Sequence, residues 1–375
     1  MQPSIDRKSL LARVKSVVVK IGTNALSDSA GRLDHQLIGH FARQVAMLGK
    51  RGVQVTMVSS GAIGAGITEL GLPGRPKELP MLQAAASVGQ SILMGFFAAA
   101  FKTHGVHVGQ ILITRSDFES RARYLNLRNC IQALHASGCV PIINENDSVA
   151  VAEIRFGDND VIAAQVTNLL RADLLILLSV VDGLLDGAGK TISVVEDIED
   201  ANGNVHDTKS SRGTGGMGSK LFAAGTVRMA GEPVLIANGK AENIILRLLD
   251  GEQTGTLIVP GNRKMSSRSR WISLTAKTKG TVVVDGGAVK ALRDNKSLLA
   301  SGIRAVVGQF DKGDPVAVTD EHGQIVARGL TNYRSADIEQ IKGHKTTEFA
   351  RLLRTETYYD EVIHRDDLVV EGAKG

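Results

Sequence analysis

Six near-continuous apolar runs, each of strand length, alternate with long helical patterns over the first 260 residues. No other feature of the chain restricts its fold as much. The runs are SVVVKI (16–21), VQVTMVSS (53–60), VHVGQILIT (106–114), CVPIIN (139–144), DLLILLSVV (173–181) and EPVLIA (232–237). Between them, apolar residues recur at helical spacing, as in HQLIGHFARQVAMLGKRG and LQAAASVGQSILMGFFAAAFKTHG. Strands that are apolar throughout need cover on both faces. The pattern therefore predicts an α/β fold, a three-layer αβα sandwich around a mostly parallel open sheet. Ligands of such sheets bind beyond the carboxyl ends of the strands.

After VPGNRKMSSRSRW the rhythm changes. KGTVVVDGGAVKALRDNKSLLASGI reads as strand, glycine turn and helix, and GDPVAVTDEHGQIVARGLTNY as a hairpin around Glu321-His322-Gly323. We expect a catalytic-size domain over 1–260, a linker over 261–275 and a small strand-rich domain over 276–375. A length of 375 residues has room for both, and 43% hydrophobic with 22% charged residues suits a globular protein. The run LLILLSVV (174–181) is too short to cross a bilayer, and MQPSIDRKSLLARVKS lacks an apolar signal region. The expected location is cytoplasmic, with no membrane partner.

Two cysteines, Cys130 and Cys139, make neither a disulfide framework nor a CxxC site. The nine histidines are scattered, so no protein-built metal site is expected. The net charge of +5 invites a nucleic-acid partner. Its location argues otherwise: charge nearly cancels over 1–262 and over 271–375, and the excess sits in RKMSSRSR (263–270). A diffuse basic face is not what makes the chain basic, and the four cations of that segment read as a solvated linker.

Four polar or glycine-rich stretches fall at element ends. In KIGTN, Lys20 places an ammonium where strand one stops, and Gly22 lets backbone N–H groups approach an anion. A strand-end lysine snorkelling over a tight turn would look the same. In VSSGAIGAG, Ser60 and Gly61 end a strand before a helix of small residues, an arrangement that suits anion binding or simply an N-cap over close helix–sheet packing. NENDSVAVAEIRFGDNDVIAAQV carries two acid-and-amide clusters, Asn144 to Asp147 and Asp158 to Asp160. Asparagine both donates and accepts, and aspartate pairs with ammonium groups, so this pair suits an amino acid ligand. RGTGGMGSKLFAA nearly matches a P-loop, but it ends Gly-Ser-Lys and no strand leads into it. A glycine loop over a nucleotide's phosphates, with Lys220 in the first helical turn, or a plain surface loop, fits the residues.

Together these stretches resemble the amino acid kinase family over nearly the whole chain. Within it they are similar to the members that phosphorylate glutamate, through VVVKIGTNAL, VSSGAIGAG, VGQILITRSDFESRARYLNLRN, VPIINENDSVAVAEIRFGDND and GTGGMGSKLFAA in order and spacing. The C-terminal part, ending VIHRDDLVV, resembles a PUA domain. The resemblance implies transfer of a phosphoryl group from ATP, with Mg²⁺, to the side-chain carboxylate of L-glutamate, opening proline synthesis. It implies Lys20, Lys220, Asp158 and Asp160 as catalytic residues. Ser60, Asp147 and Asn159 would bind glutamate, with Asp147 on the α-ammonium. Lys20, Gly22, Ser179, Val180, Thr214, Gly215, Gly216, Met217, Gly218, Ser219 and Lys220 would line the ATP site. Ser179-Val180 departs from the Thr-Asp common in the family, and Leu185 stands where tyrosine is common. Proline as feedback inhibitor, a homo-oligomer and the next enzyme, a glutamyl-phosphate reductase, are the further partners implied.

Two rivals remain open on the sequence. A nucleotide-phosphorylating or acetylglutamate-phosphorylating member would keep the fold; a nucleotide acceptor would want arginines for its phosphate, where this chain has acids and amides. An RNA-binding role could be argued from the PUA-like domain, against its balanced charge.

Overall fold

The computed structural model describes residues 6–28, 32–149, 159–198, 216–262 and 264–371. The chain divides into two compact units, Met1–Lys264 and Met265–Gly375.

The first unit is built on β1 (Ser16–Ile21), β2 (Gln54–Val58), β3 (His107–Ile113), β4 (Cys139–Glu145), β5 (Leu174–Ser179), β6 (Val194–Val195), β7 (Val234–Asn238) and β8 (Thr256–Ile258). Their order across the sheet is β3-β4-β2-β1-β5-β7-β8-β6. Every neighbouring pair is parallel except β7–β8. The sheet is thus mixed at one side. β6 and β8 escaped the sequence pattern because two or three residues are too few to show it.

Along β1, Val17, Val19 and Ile21 pack into one core with Phe41, Leu93 and Phe97 of the helices His35–Lys50 and Leu79–Lys102. Successive strand residues point to opposite faces, so Val18 and Lys20 face the other layer, where the helix Asn159–Leu170 packs. Each buried Val or Ile contributes about 1.5–3 kcal/mol relative to exposure. The register that buries Val17, Val19 and Ile21 therefore also commits Lys20 to the opposite layer. β1 lies between β2 and β5, and the chain leaves it in one direction for β2 and later returns on the other side as β5. The crevice at its carboxyl end is a topological switch point.

The helix Leu79–Lys102 is long and apolar enough, by length and composition, to cross a membrane, which the shorter run 174–181 was not. Here it is a core helix, burying Leu82, Ala85, Ala86, Leu93, Phe97 and Phe101. It meets the helix Ala62–Glu69 at backbone contact. A Cβ on Gly66 would lie 1.8 Å from the Ala85 carbonyl oxygen, and one on Gly89 would lie 1.8 Å from that of Ala62. The small residues of GAIGAG thus serve a helix–helix crossing rather than the helix–sheet packing expected of them.

In the second unit, β9 (Gly280–Val284), β10 (Ile303–Val307), β11 (Pro315–Thr319), β12 (Ile325–Leu330) and β13 (Leu368–Val370) form a sheet ordered β10-β9-β11-β12-β13. Its core includes Val282, Val318, Ile338, Phe349 and Ile363. β11 and β12 are the expected hairpin. Asp320 Oδ1 accepts from the His322 and Gln324 N–H groups, and Gly323 takes the left-handed φ of +82°.

The segment 261–275 differs from the linker expected. It contains the helix Ser267–Leu274, capped by Ser266, with Trp271 and Ile272 buried. Arg270 is fully buried and its Nε donates to the Met265 carbonyl, while Arg268 is ion-paired with Asp367. In the first unit Lys264 pairs with Glu232 at 3.1 Å. A polar composition hid an anchored helix, because arginine stems can cover apolar surface. Arg263 lies outside the described residues.

Candidate functional site

At the carboxyl end of β1, Lys20 Nζ lies 2.5 Å from Asp160 Oδ1. Lys220 Nζ donates to the other oxygen, Asp160 Oδ2, at 3.0 Å. Asp160 sits in the first turn of the helix Asn159–Leu170 and Lys220 in the first turn of the helix Met217–Met229. A carboxylate at a helix N-terminus is favoured by the unpaired N–H groups and the helix dipole. All three side chains are buried, with Asp160 0%, Lys20 4% and Lys220 6% exposed. Burial pushes the Asp160 carboxyl up, but the charges and hydrogen bonds of Lys20 and Lys220 outweigh it and hold the group below the usual carboxylate range. Ser219 Oγ is 3.2 Å from Asp160 Oδ2 and 2.9 Å from the Gly216 carbonyl oxygen.

Gly22 follows with an ordinary φ of −72°. A Cβ there would stand 3.4 Å from the Leu178 carbonyl oxygen and 3.9 Å from Lys20 Nζ, both normal contacts. Neither backbone conformation nor packing asks for glycine at this position. What a side chain would take up is the space beside the Lys20 ammonium.

A second, amide-rich cluster adjoins the first. Asn159 Nδ2 is 3.0 Å from the Ser59 carbonyl oxygen, 2.7 Å from Ser60 Oγ and 3.1 Å from Asn144 Oδ1. Ser60 ends the segment after β2, and Gly61 turns it into the next helix with a left-handed φ of +100°. Asn144 Oδ1 also accepts from the Glu145 N–H at 2.9 Å, and Asn144 Nδ2 donates to Gln90 Oε1 at 2.8 Å. Asp147 lies half-buried in the turn after β4, and its neighbour Ser148 meets Ser87 at 2.7 Å between hydroxyls.

The structure thus brings Lys20, Asp160, Ser219 and Lys220 into one group and Ser60, Asn159 and Asn144 into another, joined through the adjacent residues 159 and 160. Gly216 is the N-cap residue, and Met217 and Gly218 open the helix that carries Lys220. Ser179 and Val180 stand one strand away, past Leu178, which pairs with Ile21. There the Gly239 N–H donates to the Ser179 carbonyl at 2.8 Å and Asn238 Nδ2 to Asp182 Oδ1 at 2.9 Å. Val180 and Leu185 are exposed. Asp158, Thr214 and Gly215 lie outside the described residues.

Sequence reasoning missed Gln90 and the part played by Asn144. An amide inside an otherwise apolar helical run, a signal that Gln83 shares, was what the sequence offered for Gln90. For a metal, no group of three His, Cys, Asp or Glu converges among the described residues. Both Asp160 oxygens are already engaged by ammonium groups. These residues offer a divalent cation no cage of their own.

The model of the Amino acid kinase family matches residues 15–238, and that of the PUA domain matches residues 280–353. The chain is 45% identical over 362 residues to the glutamate 5-kinase of Caldanaerobacter subterraneus subsp. tengcongensis, covering 94% of this chain and 97% of that one. It is 44% identical over 375 residues to the glutamate 5-kinase of Geobacter sp. strain M21, covering 97% of this chain and all of that one. Among solved structures, Giardia carbamate kinase superposes with a TM-score of 0.50 at 18% identity, over 66% of this chain and 99% of that one, a likeness of fold.

Proposed function

We propose, from the premise that the chain belongs to the amino acid kinase family and to its glutamate 5-kinase branch, that it transfers the γ-phosphoryl group of ATP to the side-chain carboxylate of L-glutamate. The products are ADP and L-glutamyl 5-phosphate. The observation that carries this reading is the pair of buried lysines on the two oxygens of Asp160, set beside an amide and hydroxyl cluster at the switch point of the sheet.

The nucleophile is a carboxylate already ionised at neutral pH, so the site needs no general base. Its oxygen forms the new bond to phosphorus while the bond from phosphorus to the β-phosphate oxygen breaks, and ADP leaves with that electron pair. The difficulty is to bring two anions together, and catalysis is positioning with electrostatic stabilisation. Lys20 and Lys220 supply the positive charge, and Asp160 fixes both ammoniums before substrate arrives. Ser60, Asp147 and Asn159 hold the amino acid. Ser179, Val180 and residues 214–220 hold the nucleotide. Mg²⁺, bound through the nucleotide phosphates, would neutralise charge there. Catalysis belongs to residues 1–260 and a regulatory or assembly role to the PUA-like part, 276–375. Proline shares the amino acid head of glutamate and would overlap its site. The acyl phosphate product is passed to a reductase.

The test is ADP release with ATP, Mg²⁺ and an acceptor panel of L-glutamate, N-acetylglutamate, aspartate and uridylate, with hydroxylamine to trap acyl phosphate. Glutamate-dependent release with trapped hydroxamate is expected. Turnover with another acceptor alone would discard the assignment of the acid and amide cluster.

A further inference from the structure

We infer that Gln90 is a positioning residue for the amino acid substrate, fixing the amides of Asn144 and Asn159 so that Asn159 turns its Oδ1 to the substrate's ammonium group. The inference rests on the glutamate reading above and deepens it.

Two backbone groups set the polarity of the network, because neither can exchange donor for acceptor. The Ser59 carbonyl only accepts, so the atom of Asn159 at 3.0 Å from it is the NH₂. The Glu145 N–H only donates, so the atom of Asn144 at 2.9 Å from it is the oxygen. Asn144 must then point its own NH₂ away, and Gln90 Oε1 receives it at 2.8 Å. Asn144 Oδ1 is thereby held where it also accepts from Asn159 Nδ2 at 3.1 Å. The NH₂ of Asn159 is committed to Ser59, Ser60 and Asn144, while its Oδ1 is buried with no hydrogen-bond partner among the described residues.

A buried acceptor in a native site calls for a donor. On a dicarboxylic amino acid at neutral pH, both carboxylates only accept, and the α-ammonium is the one group that donates. The orphaned Oδ1 therefore selects for the ammonium. Gln90 is 8% exposed, and one turn before it on the same helix Ser87 meets Ser148. This helix thus grips the loop on both sides of Asp147. Between these two grips Gly89 locks the helix against the segment that follows Ser60.

The test compares wild type with Gln90→Met, which keeps volume and removes the acceptor, and Gln90→Glu, which keeps an acceptor. Substrates are L-glutamate and glutarate, the same dicarboxylate without its ammonium. In Gln90→Met the KM for glutamate should rise on the order of tenfold, the cost of leaving a buried amide partner unsatisfied. The KM for ATP should stay unchanged, and the preference for glutamate over glutarate should shrink by the same factor. Gln90→Glu should restore most of both. An unchanged glutamate KM in Gln90→Met overturns the inference. So does a rise shared equally by glutarate, which marks a merely structural role. Absence of glutamate turnover in the wild type instead removes the proposed function itself, and this inference with it.

Discussion

Lys220 reaches the carboxylate of Asp160 at 3.0 Å from the first turn of another helix, so two helix N-terminal turns meet at a buried ion pair. Lys20 takes the remaining oxygen from β1. One carboxylate therefore ties a sheet strand to two helices as well as holding two charges. Asp160→Ala would leave two buried ammoniums without it, and losing one partner of a buried pair costs about 3–5 kcal/mol. Urea denaturation should show a loss of that order, with the slope unchanged. A loss no larger than a surface mutation would remove Asp160 from this structural role.

Lys20→Ala separates binding from chemistry. Its ammonium is placed for charge that develops during transfer, so kcat should fall by about 10²–10³ while the KM for glutamate changes little. Steady-state kinetics decide it. A large rise in glutamate KM at unchanged kcat would move Lys20 to substrate binding.

Gly22→Ala puts one methyl group beside the Lys20 ammonium at a φ that alanine accepts. Such a substitution should leave stability equal or up to about 1 kcal/mol higher. Turnover should nevertheless drop, because the methyl occupies space the phosphoryl group needs. Melting temperature and kcat measured on one preparation test both halves; a drop in both together would mean the position is structural.

Asp147→Ala should weaken glutamate and proline together, if both dock their amino acid head at this turn. Proline inhibition that survives in a variant no longer binding glutamate would place the two ligands at separate sites.

The acid response follows from Asp160. Its folded pKa lies below the unfolded value of about 3.9, so the unfolded chain binds more protons in that range. The ionised group stabilises the fold fully above the unfolded value, and the stabilisation is lost as pH falls through the depressed folded one. Melting temperature should show no pH dependence from this group between about pH 5 and 8, where its stabilisation is fully present, and an acid limb below about pH 4. In Asp160→Asn that limb should flatten; an identical limb would assign acid sensitivity to other carboxylates.

The central strands were legible because burial on both faces leaves an unbroken apolar run, as at Leu174 to Leu178. The same logic placed Lys20 and Ser60 at strand ends, whereas Ser179 fell inside the expected strand and closes β5 in the structure. Val194–Val195 and Thr256–Ile258 were not legible, since strands so short carry no period. The helix Ser267–Leu274 was hidden by serines and arginines, one of which, Arg270, is fully buried. The role of Gln90 was not legible, for a different reason. Its role depends on which amide atom of Asn144 faces it, and that is settled by the Glu145 N–H, far away in sequence.

The crossing at Gly66 and Gly89 acts as a mechanical detent. With a carbonyl oxygen of the partner helix where each Cβ would be, one helix cannot slide along the other by even one residue's rise, about 1.5 Å. Ser60 leads into the first helix and Gln90 rides on the second, so the spacing between the hydroxyl and the amide network is gauged by that notch. These two glycines thereby set the tolerance of the unit's recognition site.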